Sequence, residues 1–488
     1  MRGYKRYCQP ETRNLRVSGC FNNSPALKKD MDKNSKKMIS GAFVLGLGTF
    51  IAKLLGAAYR IPLTKIIGGT GLGLYQMVFP VYTLLLDFSG AGVPNAVAKI
   101  ISSYNGFDRE VYARKILKIS LIFFSALGAL LSVLTALFSG AVATAQGNAD
   151  ASLAYVFLSP SIFAVCAICC FRGYFQGFMN MTHTAVSQIV EQVVKLIAGL
   201  TISSLFMPDI PKAVAGAALA ITLSEFIALT VLAITYGLKK KRLGFTKLYI
   251  DKKTFSSSLK IIFSYVIPIA FAGMMLPLSK VADSFLIVNF LSENTANPTA
   301  VYGIFSGVVT TVIGLPVAVC YGVSAVAVPM VASANAGKKN KDAVKTILLT
   351  LVISVPCAIL LAVFAPLVIR ILFGYLSAEE KSLSVNLLRL TSVCVVLLSL
   401  LQTLNGVLIG KGSPKKPMIG MAAGVAVKIL IEVFTLKIPE IGIYGAGIGA
   451  IACYFVADLV NLSMVFPIKF KRKINESSRV KVGRCADL

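Results

Sequence analysis

The 488-residue chain predicts an all-α polytopic membrane protein, with twelve transmembrane helices in two six-helix bundles around a central cavity. Three observations carry that fold class. Hydrophobic residues make up 56% of the chain and charged residues 14%, where a soluble protein averages about 25% charged. Long apolar runs recur from Met38 to Phe466, and none alternates as a barrel strand would. The two halves also repeat each other's pattern. The same composition excludes disordered chains, collagen and disulfide-stapled secreted scaffolds.

Residues 1–37 form a basic tail without the apolar core of a signal peptide. Met31 opens a stretch that reads as a natural start, so residues 1–30 are expected to be an upstream extension. Spans are predicted near 38–60, 74–101, 113–138, 152–176, 184–206 and 213–237 in the first bundle (38–237). A basic linker, 238–257, leads to spans near 258–284, 300–331, 344–372, 385–410, 418–436 and 443–467 in the second bundle (258–468). A basic tail, 469–488, closes the chain.

The net charge of +28 would suggest a nucleic-acid partner in a soluble protein, but its placement argues for topology instead. Lysine and arginine crowd one set of alternate loops: Lys28 to Lys37, Arg109 to Lys118, Lys239 to Lys260, Lys338 to Lys345, Lys411 to Lys416 and Lys469 to Lys473. The other set carries only Arg60, Lys65, Lys212, Lys381 and Lys437. Both termini are therefore expected in the cytoplasm.

The repeat has a constant offset. Gly92-Val93-Pro94-Asn95-Ala96-Val97-Ala98 corresponds to Gly322-Val323-Ser324-Ala325-Val326-Ala327-Val328, at 322 − 92 = 230 residues. Span 6 opens at Val214 and span 12 at Tyr444, again 444 − 214 = 230. Each copy has an even number of spans, so both enter the membrane in the same direction and are related by an axis along the membrane normal.

A charge inside a span is costly unless paired or wet, so each is a candidate functional residue. Lys53 and Arg60 in span 1 have no acidic partner in their own helix and suit an anionic ligand; Lys280 in span 7 joins them as a candidate substrate-binding cation. Candidates for a coupling ion or charge relay are Asp87, Glu191, Lys195, Glu225, Asp283, Lys428, Glu432 and Asp458. Glu191 and Lys195, like Lys428 and Glu432, are four apart and share a helix face, so each pair can also simply neutralise itself. Gly68-Gly69-Thr70-Gly71-Leu72-Gly73 follows no strand and lacks the Gly-Lys-Ser/Thr of a nucleotide loop. His183 is the sole histidine, and Cys166, Cys169 and Cys170 read as packing residues. No catalytic residue, metal site or cofactor is indicated, leaving protons, Na⁺, the membrane potential or substrate mass action to drive transport.

The opening Gly41-Ala42-Phe43-Val44-Leu45-Gly46-Leu47-Gly48-Thr49-Phe50-Ile51-Ala52-Lys53-Leu54-Leu55-Gly56 resembles the first span of the multidrug/oligosaccharidyl-lipid/polysaccharide exporter superfamily. Arg60-Ile61-Pro62-Leu63-Thr64-Lys65-Ile66-Ile67-Gly68 and Gly73-Leu74-Tyr75-Gln76-Met77 extend the match, which is most similar to the lipid II flippase and sporulation branch. The resemblance implies a non-enzymatic flippase in a bacterial cytoplasmic membrane. Its substrate would be an undecaprenyl-diphosphate-linked glycan, lipid II or a related envelope precursor, with membrane lipids and cell-wall synthesis machinery as partners. It also implies a cavity arginine where this chain has Lys53. A second arginine is implied near Tyr59, where Arg60 stands one residue along. The acidic residue such flippases place early in span 2 has no counterpart near Leu72–Tyr75. The alternatives are a cation-coupled multidrug antiporter of the same superfamily and, further off, a membrane glycan polymerase or ligase. The latter class usually carries a long outer loop, which this chain lacks.

Overall fold

The computed structural model describes residues 25–466 apart from 91, 105–107, 244–251, 334–338 and 414. The predicted C-terminal tail, the first 24 residues and the middle of the predicted linker lie outside the described residues, as does the Lys53 side chain. The first half of the chain runs through α1 (Pro25–Ser89), α2 (Val93–Ser102), α3 (Arg109–Leu137), α4 (Ser139–Ala145), α5 (Ser152–Gly177), α6 (Thr182–Leu205) and α7 (Ile210–Leu243). The second half begins with α8 (Lys252–Leu291), α9 (Pro298–Gly303), a π-helical turn at Ile304–Val309 and α10 (Thr310–Ser333). It ends with α11 (Lys339–Val363), α12 (Ala365–Phe373), α13 (Ala378–Thr391), α14 (Cys394–Gly410), α15 (Lys416–Thr435) and α16 (Tyr444–Val465).

Helix is the expected outcome, because in hydrocarbon only a helix satisfies its own backbone donors and acceptors. Among the described residues, ten helices are long and apolar enough to cross a membrane, or eleven if the bent pair α13 and α14 is counted as one span. That differs from the twelve separate spans expected from sequence. The predicted first span and the first part of the second run together in α1, whose 65 residues would reach about 98 Å at 1.5 Å per residue; the rest of the second span falls in α2. Gly68 interrupts α1 with φ 67° and ψ −173°, a backbone conformation that favours glycine. Pro62 and Pro80 flank that break within the same helix. The α13–α14 pair bends by 47°. A reciprocal cap starts it: the Glu380 amide donates to Ser377 Oγ at 3.2 Å, and the Ser377 amide donates to Glu380 Oε2 at 3.0 Å.

Burial separates core helices from peripheral ones. The apolar window of α5 is 72% buried, whereas those of α3, α6 and α11 are 22%, 17% and 22% buried. The latter show Leu130, Ile197 and Val352 on their outer faces, where acyl chains replace water as the partner of apolar side chains.

The two halves meet closely at one end. Gly73 and Gly303, 303 − 73 = 230 residues apart and so equivalent in the repeat, pack against each other. A Cβ on Gly303 would lie 2.5 Å from the Gly69 carbonyl oxygen and from the Gly73 nitrogen. Equivalent positions can touch only near the axis that relates them. Around this contact Gln76 Nε2 donates to the Ser306 carbonyl at 2.6 Å and Tyr302 Oη to the Gln76 carbonyl at 3.1 Å. Asn297 Nδ2 donates to Thr70 Oγ1 at 2.9 Å, and Asn148 Nδ2 to Thr299 Oγ1 at 3.0 Å. A methyl group on Gly73 would collide with the Thr299 carbonyl. Gly73→Ala is therefore expected to weaken this seal by about 1–3 kcal/mol. In a Thr70→Cys/Asn297→Cys background, the disulfide yield should fall; an unchanged yield would show that the glycine contact does not hold the halves together.

Candidate functional site: a cationic cavity between the halves

A cavity of about 530 Å³ opens between the halves, walled by α1, α5, α6, α8, the π-helical turn, α10, α14 and α16. Its charged lining is Arg60, Arg172, Lys195, Lys280 and Glu191. Gln188, Gln192, Thr310, Thr311 and Gln402 add hydrogen-bonding groups, and Phe79, Phe305 and Tyr454 supply aromatic wall.

Local structure sets each cation's role. Arg60 projects from the α1 segment before the Gly68 break; its Nη1 donates to Thr311 Oγ1 on α10 at 3.3 Å. The same guanidinium lies 5.7 Å from the Phe79 ring centroid. Lys195 Nζ approaches that ring at 5.4 Å and the Tyr59 ring at 5.6 Å. One phenylalanine thus holds two cations by its quadrupole, without neutralising either. Lys280 makes no hydrogen bond or ion pair with the described residues, and its electrostatic neighbours include Arg60 and Asp283.

The carboxylate in the wall is already engaged. Arg172 Nη2 donates to Glu191 Oε2 at 3.0 Å, and Arg172 Nε donates to Ser187 Oγ at 3.1 Å. The expected Glu191–Lys195 pair is thus replaced by Glu191–Arg172. Arg172 was overlooked as a candidate in the sequence. The signal was present, since a cation within the predicted span 152–176 qualifies by the same cost argument as Lys53. With Glu191 and Arg172 offsetting each other, Arg60, Lys195 and Lys280 give the described lining an excess of positive charge.

The other candidates lie outside the cavity. Lys280 and Asp283 are three apart but do not pair: Asp283 accepts both oxygens' bonds from Lys428 of α15, at 2.5 and 2.6 Å. Lys428 also donates to Ser279 Oγ at 3.1 Å and lies 3.7 Å from Glu432, whose side chain is wholly buried. Two carboxylates therefore share one lysine in a nearly dry cluster joining α8 to α15. Glu225 is buried behind the cavity wall, within electrostatic reach of Glu191, Arg172 and Lys195. Asp87 sits beside Gly273, where an added Cβ would come within 3.5 Å of its carboxyl carbon. Asp458 of α16 is 5% exposed, and neither carboxyl oxygen has a hydrogen-bond partner among the described residues.

Helices long and apolar enough to span a membrane, set around a cavity lined with fixed charge, have the architecture of a polytopic membrane transporter. The chain belongs to the polysaccharide biosynthesis protein family, which it matches over residues 38–335; the MatE family also matches residues 268–434. It is thus a transporter of the multidrug/oligosaccharidyl-lipid/polysaccharide superfamily. It is 27% identical to "Lipid II flippase MurJ" of Bacillus subtilis (strain 168) over 92% of this chain and 85% of that protein. "Stage V sporulation protein B" of the same organism is 25% identical over 89% of this chain and 85% of its own length. Among solved structures, "Lipid II flippase MurJ, inward closed conformation" superposes with a TM-score of 0.68 at 15% identity, covering 87% of each chain. That likeness establishes a shared fold.

Proposed function

We propose that this protein is an alternating-access flippase that moves an undecaprenyl-diphosphate-linked glycan, lipid II or a related envelope precursor, from the inner to the outer leaflet. The observation that carries the reading is the lining of the central cavity. Arg60, Lys195 and Lys280 face a space in which the one carboxylate among the described residues, Glu191, is taken by Arg172. Such a site favours a diphosphate, which accepts charge-assisted hydrogen bonds from guanidinium and ammonium groups. A polar headgroup does not cross about 30 Å of hydrocarbon unaided, so a wet cationic passage lowers the barrier while the prenyl chain stays in lipid. The lysine-rich loops are cytoplasmic in this reading, with both termini on that side of a bacterial cytoplasmic membrane. Counting α1 as two crossings that meet near Gly68 gives twelve spans in two bundles of six. The Gly73–Gly303 seal then closes the outer end, and rocking of the bundles exposes the cavity to each side in turn. The buried Asp283–Lys428–Glu432 cluster is the coupling element: with two carboxylates sharing one ammonium, the gain or loss of one proton changes its net charge.

A leaflet-accessibility assay tests the substrate. In cells depleted of this protein, lipid II or another prenyl-diphosphate glycan should lose exposure on the outer leaflet and regain it on re-expression. Unchanged exposure of both, together with dye efflux that depends on Asp87, Glu225 or Asp458, would replace the flippase by a cation-coupled drug antiporter.

A further inference from the structure

A second cavity, of about 380 Å³, lies between α12 and α13, away from the central one. It sits at the sealed end of the molecule, since the Glu380 side chain at the start of α13 packs beside Gly69. Its charged lining is Arg370, Lys381 and Arg389, with no carboxylate. Among the described residues none of the three cations has an acidic side chain within ion-pairing distance. Ser382, Asn386 and Arg389 fall at i, i+4 and i+7, one stripe along α13. Pro366, Ile369 and Val385 add apolar lining, and Leu367 and Ile371, each one residue past the lining positions Pro366 and Arg370 on α12, are 51% and 70% exposed. In a protein that spans a membrane, those side chains meet acyl chains.

Three unpaired cations at this end run against the scarcity of lysine and arginine in the loops there, which calls for a local anionic partner. Cations beside an exposed apolar rim require that partner to be an amphiphile. We propose that this groove binds the phosphate headgroup of an anionic glycerophospholipid from the leaflet at the sealed end. Arg370 and Arg389 grip the phosphate by paired N–H donors, Lys381 adds a point charge, and the acyl chains run along Leu367 and Ile371. The assignment is independent of the transported substrate, because Thr391 and Cys394 face the central cavity while Arg389 faces the groove.

Native mass spectrometry of the detergent-purified full chain provides the test, with phosphatidylglycerol and phosphatidylcholine as probes and inorganic phosphate as competitor. Phosphatidylglycerol should bind more tightly than phosphatidylcholine. Each neutralisation among Arg370→Gln, Lys381→Gln and Arg389→Gln should weaken it about fivefold. Lys381→Gln alone guards against misfolding of the triple variant, and Lys212→Gln, at an exposed site elsewhere, should leave binding unchanged. Equal affinity for the two lipids, or full retention of phosphatidylglycerol by the triple variant, would overturn the proposal. So would complete displacement by millimolar phosphate, which would identify a site for free anions instead.

Discussion

Arg60→Ala is expected to abolish complementation of a flippase-deficient strain while leaving expression and membrane insertion intact. Arg60 lines the cavity, is oriented by Thr311 and Phe79, and has no carboxylate partner among the described residues. Its charge is therefore available to a ligand rather than spent on the fold. A hydrogen bond to a charged group contributes about 1.5–3 kcal/mol, so the loss of one such contact weakens diphosphate binding by roughly ten- to a hundredfold. Arg60→Lys should recover part of the activity, because it restores the charge but not the planar fork that grips two phosphate oxygens. Lys53→Ala carries the same expectation from its place in the first span. Normal complementation by well-expressed Arg60→Ala and Lys53→Ala proteins would remove both residues from the mechanism.

The largest effect on stability is expected at Lys428. Its ammonium bonds both oxygens of Asp283 and is the nearest cation to Glu432. Lys428→Ala would leave two buried carboxyl groups facing each other without a counter-charge, and breaking a buried pair in this way costs about 3–5 kcal/mol. Thermal unfolding in detergent should show a marked fall in Tm. A neutral variant combining Lys428→Met, Asp283→Asn and Glu432→Gln removes the charge imbalance and should recover most of that stability. If the cluster couples transport to an ion or to the membrane potential, the neutral variant folds but does not transport. A neutral variant with full transport would reduce the cluster to a structural tie between α8 and α15.

The sequence made some of these features visible and hid others. Arg60 and Lys280 stood out as candidate substrate-binding cations because a charge in an apolar span has a high cost wherever its helix packs. Glu191 and Lys195 stood out as a pair because their spacing places them on one face, but Glu191 is satisfied by Arg172, 191 − 172 = 19 residues earlier on the neighbouring helix. Asp283 likewise takes a partner 145 residues away instead of Lys280 three residues before it. The helical repeat that suggests a local pair cannot reveal a competitor on another helix. Gly73 and Gly303 belong to equivalent places in the 230-residue repeat, yet only their close approach shows that they lie near its axis.

The sequence by itself determined that the chain is helical and membrane-embedded. Those properties follow from hydrophobicity and backbone satisfaction, which add up along contiguous residues. The tertiary structure alone decided which cations stay unpaired in the cavity, which are consumed in buried clusters, and how tightly the halves close. Hydrogen bonds and ion pairs fall away within a few ångströms, so these outcomes depend on which helices become neighbours rather than on which residues are adjacent in the chain.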